Sequence, residues 1–386
     1  MPSLTVLSTF SELPSPVLTA YLNVQSPEPS THRPGAEYSI WLEEEAKRLI
    51  ETVPPTEQEV FRQQVARTEE FLRERISREK ALVILAGSTV WESMPFQLPI
   101  ENELHWGRPA LTQLQWLFSE NKSYCVVVLD RKGARFFRYG LGEMQELFQQ
   151  IFEIDISQWK KKELGHVTGQ GVHKTRGSQR DTYQHRMDAQ YKRLCRKTAT
   201  YVQKLCQSDK LRTAFLVGSD RLTEPVEASL PKQFRQHVVL INEDLGGLPL
   251  DELQEYLKPR IAEWQGKEEL ALVTRLLQDE RTAVTGVDET LAQLQKSRLR
   301  TMVVADHLTG ILHECIECGW TDRSADPVCS VCGRERKKVE LRGVVHDLAR
   351  STGTEIEVVS GAAAIKLNQA GGMGGWLKGR TQAQLR

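Results

Sequence analysis

The chain has 386 residues, with 51 Lys and Arg against 51 Asp and Glu, and 40% of its residues are hydrophobic. This length suits two or three domains with substantial cores. The zero formal charge excludes attraction to a polyanion through global charge, so a nucleic-acid partner requires a local basic patch.

The opening MPSLTVLSTF lacks the basic start and apolar core of a secretion signal. The longest apolar run, Ala81–Ala86, is far too short to cross a bilayer. A soluble cytosolic protein without a membrane partner is therefore expected. Of the seven cysteines, four form two CxxC pairs, while Cys125, Cys195 and Cys206 lie inside apolar patterns. That usage points to a metal site plus buried thiols rather than a disulfide framework.

In chain order, residues 1–118 read as an α+β domain. A strand at Val17–Asn23 precedes a Pro-rich turn and long helical stretches (WLEEEAKRLI, VFRQQVARTEEFLRERI), and a buried strand covers Val83–Leu85. Residues 119–262 read as a central α/β domain with a mixed sheet. Tyr124–Asp130, the turn Arg131-Lys132-Gly133 and Ala134–Tyr139 form a hairpin signal. A helix is expected around Met144–Ile151. Between Trp159 and Thr182 the apolar pattern stops, and Gly165, Gly169, Gly171 and Gly177 recur; loops of such length are usually functional or disordered. A helix is predicted from Tyr183, with Tyr183, Met187, Tyr191, Leu194, Thr198, Val202 and Leu205 on one stripe. Strands follow at Ala214–Val217 and Val238–Ile241.

Residues 263–386 alternate helix and strand. Helices are expected at Glu268–Asp279, from Val287 (VDETLAQLQ) and at Val344–Ser351, strands at Thr301–Ala305 and Glu355–Val359, and a Gly-rich basic tail, AGGMGGWLKGR, at the end. An insertion over residues 313–335 interrupts the pattern with Cys315, Cys318, Cys329 and Cys332. Two CxxC pairs at short spacing supply the four thiolates of a tetrahedral zinc site, and four protein ligands leave no open position for water, so the zinc is expected to be structural. The competing readings are a site that has lost its metal and a redox disulfide pair.

The glycine-rich loop is also basic. Lys160, Lys161, Lys162, Lys174, Arg176 and Arg180 face a single acid, Glu163, and the following helix carries Arg186, Arg193, Lys197 and Lys204. A basic loop feeding a basic helix face is a phosphate-backbone footprint, although a solvated lysine-rich loop has the same composition. The lone His105, His237 and His313 read as packing or surface residues. His346 and Asp347 are adjacent on one helix and do not face each other.

Arg176-Gly177-Ser178-Gln179, followed by Arg186, Lys192, Arg193, Arg196, Lys197 and Ala199, resembles the RGGQ signature and Arg-rich helix of the archaeal and eukaryotic class I release factors. YCVVVLDRKGARFFRYG and AFLVGSD are similar to strands of that family's catalytic domain, and the last region resembles its kink-turn-protein-like third domain with a zinc-knuckle insertion. The likeness covers roughly residues 120–386; residues 1–118 resemble only a divergent bacterial branch. The resemblance implies peptidyl-tRNA hydrolysis, with the large ribosomal subunit, peptidyl-tRNA and ribosomal RNA as partners of a monomer. Gly177, Ser178 and Gln179 would be the catalytic segment, and Lys174, Arg176, Arg180, Arg186, Arg193 and Lys197 would bind tRNA or rRNA. Gln179 would offer its backbone N–H to the developing oxyanion or the leaving ribose oxygen while its amide shapes the water pocket. Ser178 stands where the family has glycine; if that position needs φ > 0, serine is strained there. A second register, with Gly169-Gln170-Gly171 at the tip, breaks the match to the helix. The first region has neither Asn-Ile-Lys-Ser nor Tyr-x-Cys-x-x-x-Phe, the family's stop-codon-reading stretches, which turns the expectation toward codon-independent rescue of stalled ribosomes. The alternatives are a non-catalytic ribosome- or tRNA-binding factor and, less favoured, a metal-dependent nuclease, for which the basic loop offers only Glu163, Asp181 and Asp188.

Overall fold

The computed structural model describes residues 4–24, 36–74, 79–152 and 176–379. Lys174, Gly165, Gly169, Gln170 and Gly171 lie outside the described residues. The protein is a multi-domain α/β chain that divides into two compact units, Met1–Lys122 with Pro259–Arg386, and Ser123–Lys258.

The first unit opens with α1 (Leu4–Ser11), β1 (Val17–Asn23), α2 (Ala36–Leu49), α3 (Gln58–Glu74), β2 (Ala81–Gly87), β3 (Trp91–Phe96), β4 (Glu103–Gly107) and α4 (Thr112–Glu120). The strands form an antiparallel sheet in the order β3-β2-β1-β4. The two apolar runs, β1 and β2, lie at its centre because only there are both faces covered. Leu18, Leu22 and Ile84 meet Leu42 of α2 and Phe61 and Leu72 of α3.

The second unit contains β5 (Tyr124–Leu129), β6 (Gly133–Gly140), β7 (Glu143–Ile151), α5 (Arg176–Ser208), β8 (Ala214–Val217), α6 (Asp220–Ser229), α7 (Lys232–Arg235) and β9 (Val238–Ile241). The helix α8 (Leu250–Gln278) begins in this unit and continues in the first. The sheet order is β7-β6-β5-β8-β9, antiparallel through β5, β6 and β7 and parallel through β5, β8 and β9, so it is mixed as expected. In the expected hairpin, Asp130 Oδ1 accepts the N–H groups of Lys132 and Gly133, each at 2.7 Å, a side chain-to-backbone turn. Two expectations fail. Met144–Ile151 is the strand β7 at a sheet edge, not a helix, because β6 supplies its backbone partners from Gly133↔Ile151 to Gly140↔Glu143. The helix expected from Tyr183 begins seven residues earlier, at Arg176.

The first unit resumes with β10 (Ala283–Thr285), α9 (Val287–Gln295), β11 (Leu299–Ala305), β12 (Ile311–Cys315), β13 (Thr321–Asp322), β14 (Arg336–Glu340), α10 (Leu341–Thr352), β15 (Glu355–Val359), α11 (Gly361–Asn368) and β16 (Met373–Leu377). One sheet runs β10-β16-β11-β15, and the cysteine insertion builds a second, β13-β12-β14. The Gly-rich segment expected as a tail is thus an inner strand. A Cβ on Gly375 would stand 2.5 Å from the Thr301 carbonyl oxygen, and one on Gly374 2.7 Å from that of Val284; glycine is required because backbone approaches from both sides.

Trp116 of α4 is sunk in the core of this second half, beside Leu291, Met302 and Val345. Its indole N–H donates to the Arg342 carbonyl at 2.9 Å, the Arg342 guanidinium lies 4.1 Å from its ring centroid, and His346 meets it edge-on at 4.6 Å. Arg342 also pairs with Glu120 at 2.6 Å. Buried Glu269 of α8 accepts the backbone N–H of Ser360 at 2.9 Å and its hydroxyl at 3.1 Å. His346 Nε2 has no hydrogen-bond partner among the described residues. Burial, helped by the charges of Arg342 and Arg350, lowers its pKa to about 4.

Gly375→Ala should destabilise the fold by about 1–3 kcal/mol through overpacking. Gly343→Ala, at a helical site with open space around it, should instead be neutral or stabilising by up to about 1 kcal/mol; chemical denaturation distinguishes the two. The unfolded chain protonates His346 near its ordinary 6.5 and the folded chain only near 4. The folded state therefore loses stability as pH falls through that window, by up to about 3 kcal/mol. His346→Phe, which keeps an aromatic edge against Trp116, should flatten the pH dependence of the unfolding midpoint between those values relative to wild type.

Candidate functional site

The helix α5 has 33 residues, a rod about 50 Å long at 1.5 Å per residue. Cys195, Ala199, Val202 and Cys206 are buried against Val127, Phe136 and Leu216 of the sheet. They recur at intervals of three and four, as a helix facing a core requires. The buried line runs one residue beyond the expected stripe: Thr198 and Val202 are buried, whereas Tyr191, Leu194 and Leu205 are half-buried. Thr198 joins the sheet through a 3.1 Å contact between its hydroxyl and Gln150 Oε1, and the Tyr191 hydroxyl donates to the Arg221 carbonyl at 3.0 Å. Arg193, Lys197 and Lys204 lie on the opposite side, and they, Lys192 and Arg196 are exposed. The expected cations Arg193 and Lys197 thus share one solvent face of one helix, and Arg196 joins them.

Gly177, Ser178 and Gln179, with the expected RNA-binding residues Arg176 and Arg180, fall in the first turns of α5 rather than in a loop, and Arg186 lies further along the same helix. Two physical consequences follow. The backbone at Ser178 is right-handed helix, a conformation open to serine, so the strain expected from a serine in the left-handed region does not arise. The N–H groups of a helix's first residues have no intrahelical acceptor and sit at its positive end, and Gly177 and Ser178 lie in that turn. Lys174 lies outside the described residues.

The cysteine insertion is a compact knuckle pair. All four Sγ atoms of Cys315, Cys318, Cys329 and Cys332 lie within 4.8 Å of one another, with Cys315–Cys332 at 3.3 Å and Cys318–Cys329 at 3.7 Å. Ligands about 2.3 Å from a tetrahedral centre stand roughly 3.8 Å apart, so the cluster fits a metal ion, while its separations are far from the S–S bond of about 2.05 Å. Each knuckle closes identically: Gly319 N–H donates to the Cys315 carbonyl at 3.0 Å and Gly333 N–H to that of Cys329 at 2.9 Å. Both glycines sit in the left-handed region, φ 71° and 73°. The Cys318 N–H lies 3.5 Å from Cys315 Sγ, and the Val331 N–H lies 3.4 Å from Cys329 Sγ. The Cys318 N–H is the main cause that pulls the Cys315 thiol down to about 6, favouring the thiolate a metal needs. Beside the knuckles, Arg336, whose side chain is 1% exposed, bridges Asp322 and the His313 carbonyl. This pair was not anticipated; its one sequence sign is an arginine three residues beyond the second Cys-Gly.

Residues 109–246 match the model of the bacterial archaeo-eukaryotic release factor family 10. The resemblance to the divergent bacterial branch of the class I release factors therefore holds over that stretch, which includes α5. Among solved structures, an archaeal protein is 15% identical over 98% of this chain and 97% of its own, TM-score 0.27. An archaeal translation termination factor, aRF1, is 14% identical over 97% of this chain and 96% of its own, TM-score 0.24. Dom34 of S. cerevisiae, a translation termination-like factor involved in RNA quality control pathways and interacting with Hbs1, is 10% identical over 78% of this chain and 81% of its own, TM-score 0.38. No curated protein matches the chain. No helix among the described residues is long and apolar enough to cross a membrane.

Metal analysis of the purified protein should return one ion per chain. Cys315→Ser and Cys332→Ser should each abolish it and raise protease sensitivity within residues 313–335. Full metal content in either variant would exclude the four-thiolate site.

Proposed function

We propose that the protein is a cytoplasmic, ribosome-associated peptidyl-tRNA hydrolase of release-factor type, acting without a codon in the rescue of stalled ribosomes. The observation that carries this reading is the Gly177-Ser178-Gln179 segment at the start of α5, inside the stretch that matches the release-factor family. Residues 119–262 would form the catalytic part, between an N-terminal domain, 1–118, and a C-terminal domain, 263–386, with its zinc insertion. The zinc is structural: held by Cys315, Cys318, Cys329 and Cys332, it would keep a small insertion folded and take no part in hydrolysis.

The chemistry asks little of side chains. Water adds to the acyl carbon of the ester between nascent chain and tRNA, the carbonyl oxygen takes up negative charge, and the bond to the ribose oxygen breaks. The released ribose oxygen gains a proton, and the peptide leaves as its carboxylic acid. The open N–H groups of the first turn of α5 and the Gln179 amide would stabilise the developing charge and orient water. Gly177 admits a close backbone approach. Arg176, Arg180, Arg186, Arg193 and Lys197, with Lys174, would hold tRNA or rRNA through phosphates, and Arg196 extends the same face.

Release of a labelled nascent peptide from stalled ribosomal complexes tests the reading. Gln179→Ala, which removes the side-chain amide and keeps the backbone N–H, should lower release by about 100-fold or more, the scale of losing one side-chain hydrogen-bond donor at a reacting centre, while its co-sedimentation with ribosomes stays intact. Equal release by wild type and Gln179→Ala would remove Gln179 from the chemistry. Co-sedimentation without release by wild type would favour a non-catalytic docking factor.

A further inference from the structure

Phe148 sits on the edge strand β7 and is 39% exposed. One face of its ring is stacked on the fully buried Phe136, centroids 4.4 Å apart at 16°. Tyr201 of α5 abuts it edge-on at 5.4 Å and 74°, and also meets Phe136. A β-bulge between Phe136 and Phe137 lies at this point of the ladder, the kind of irregularity that re-aims a side chain. Lys197 Nζ lies 5.7 Å from the Tyr201 ring centroid. Arg193, Lys197, Tyr201 and Lys204 follow at intervals of four, four and three, a single helical stripe; its three cations are exposed. Among the described acids of this unit, Glu146 pairs with Arg135 at 2.8 Å and Asp209 with Arg138 at 3.5 Å.

We propose that Phe148 and Tyr201, with the cations Arg193, Lys197 and Lys204, form a stacking platform for unpaired nucleotides of a single-stranded RNA segment. A rigid ring backed by a second ring and left open on its outer side is what a base needs. A line of exposed cations beside it suits a phosphate backbone. A duplex buries its base faces in its own stack and has none to offer. An apolar protein partner would gain nothing from the cationic stripe. The platform is a surface of the central unit alone, and it deepens the RNA-binding reading on which it rests.

Binding of the full chain to a labelled single-stranded RNA of about ten nucleotides, and to a duplex of equal length, tests it by fluorescence anisotropy. Wild type should prefer the single strand. Phe148→Leu, which keeps an apolar side chain against Phe136, should weaken single-strand binding about tenfold or more and leave the duplex unchanged. Phe148→Trp should retain affinity, and Lys197→Gln should lower the slope of log K against log salt by about 0.7. Thermal unfolding of each variant separates lost binding from lost fold. Equal single-strand affinity for wild type and a folded Phe148→Leu would overturn the platform and leave this edge to a protein partner, without touching the release reading. Absence of any RNA binding by wild type would overturn the platform and the RNA-binding reading together. Release by wild type against Gln179→Ala decides the hydrolase separately.

Discussion

The central unit depends on how α5 is held: one end of the helix is welded to a sheet by short side chains, and the other end carries Gly177, Ser178 and Gln179. Cys195, Ala199, Val202 and Cys206 are small or branched, so the helix lies close on β5, β6 and β8. Tyr191 marks the last described ring in that core cluster toward the N-terminus. From there to Gln179 is twelve residues, about 18 Å of helix. A helix is the stiffest device a chain has for presenting a short segment at a distance, because each residue added is fixed by a hydrogen bond already paid for in nucleation. Gly177, Ser178 and Gln179 fall in its first turn, at the end of the helix remote in sequence from the buried residues that dock it.

Periodicity reports burial, and this explains which parts of the chain were legible in the sequence. The runs Val17–Asn23, Tyr124–Leu129 and Ala214–Val217 are buried on every residue or nearly so, and each was readable as a strand. The start of α5 was not. Arg176 to Thr182 contain no apolar residue to mark a face, so the amphipathic signal begins only at Tyr183, although Gln179 and Arg180 are good helix formers. The glycines of AGGMGGWLKGR were misleading in the opposite way. A run that looks like a loose tail is an inner strand because neighbouring carbonyl oxygens leave no room for a Cβ, a constraint of tertiary packing that no local pattern carries.

The strand β7 is the instructive error. Met144, Leu147, Phe148 and Ile151 recur at intervals of three, one and three, which is helical spacing, yet pairing with β6 overrides it. Only Met144 of the four is buried; Leu147, Phe148 and Ile151 are all exposed. Their apolar character therefore does not record a face turned to the protein's own core. The misread periodicity and the exposed aromatic both belong to a segment whose apolar residues, Met144 apart, lie at the surface.

Charge obeys a similar division. The chain is neutral as a whole, yet the exposed side of α5 gathers Lys192, Arg193, Arg196, Lys197 and Lys204, whereas many of the described acids elsewhere are held in local pairs such as Glu43 with Lys47 and Asp288 with Arg323. Pairs of this kind cancel within a few ångströms and project no field, and at physiological salt even unpaired charge reaches only about 8 Å. A neutral protein can therefore be strongly cationic along a single helix without attracting polyanions at large.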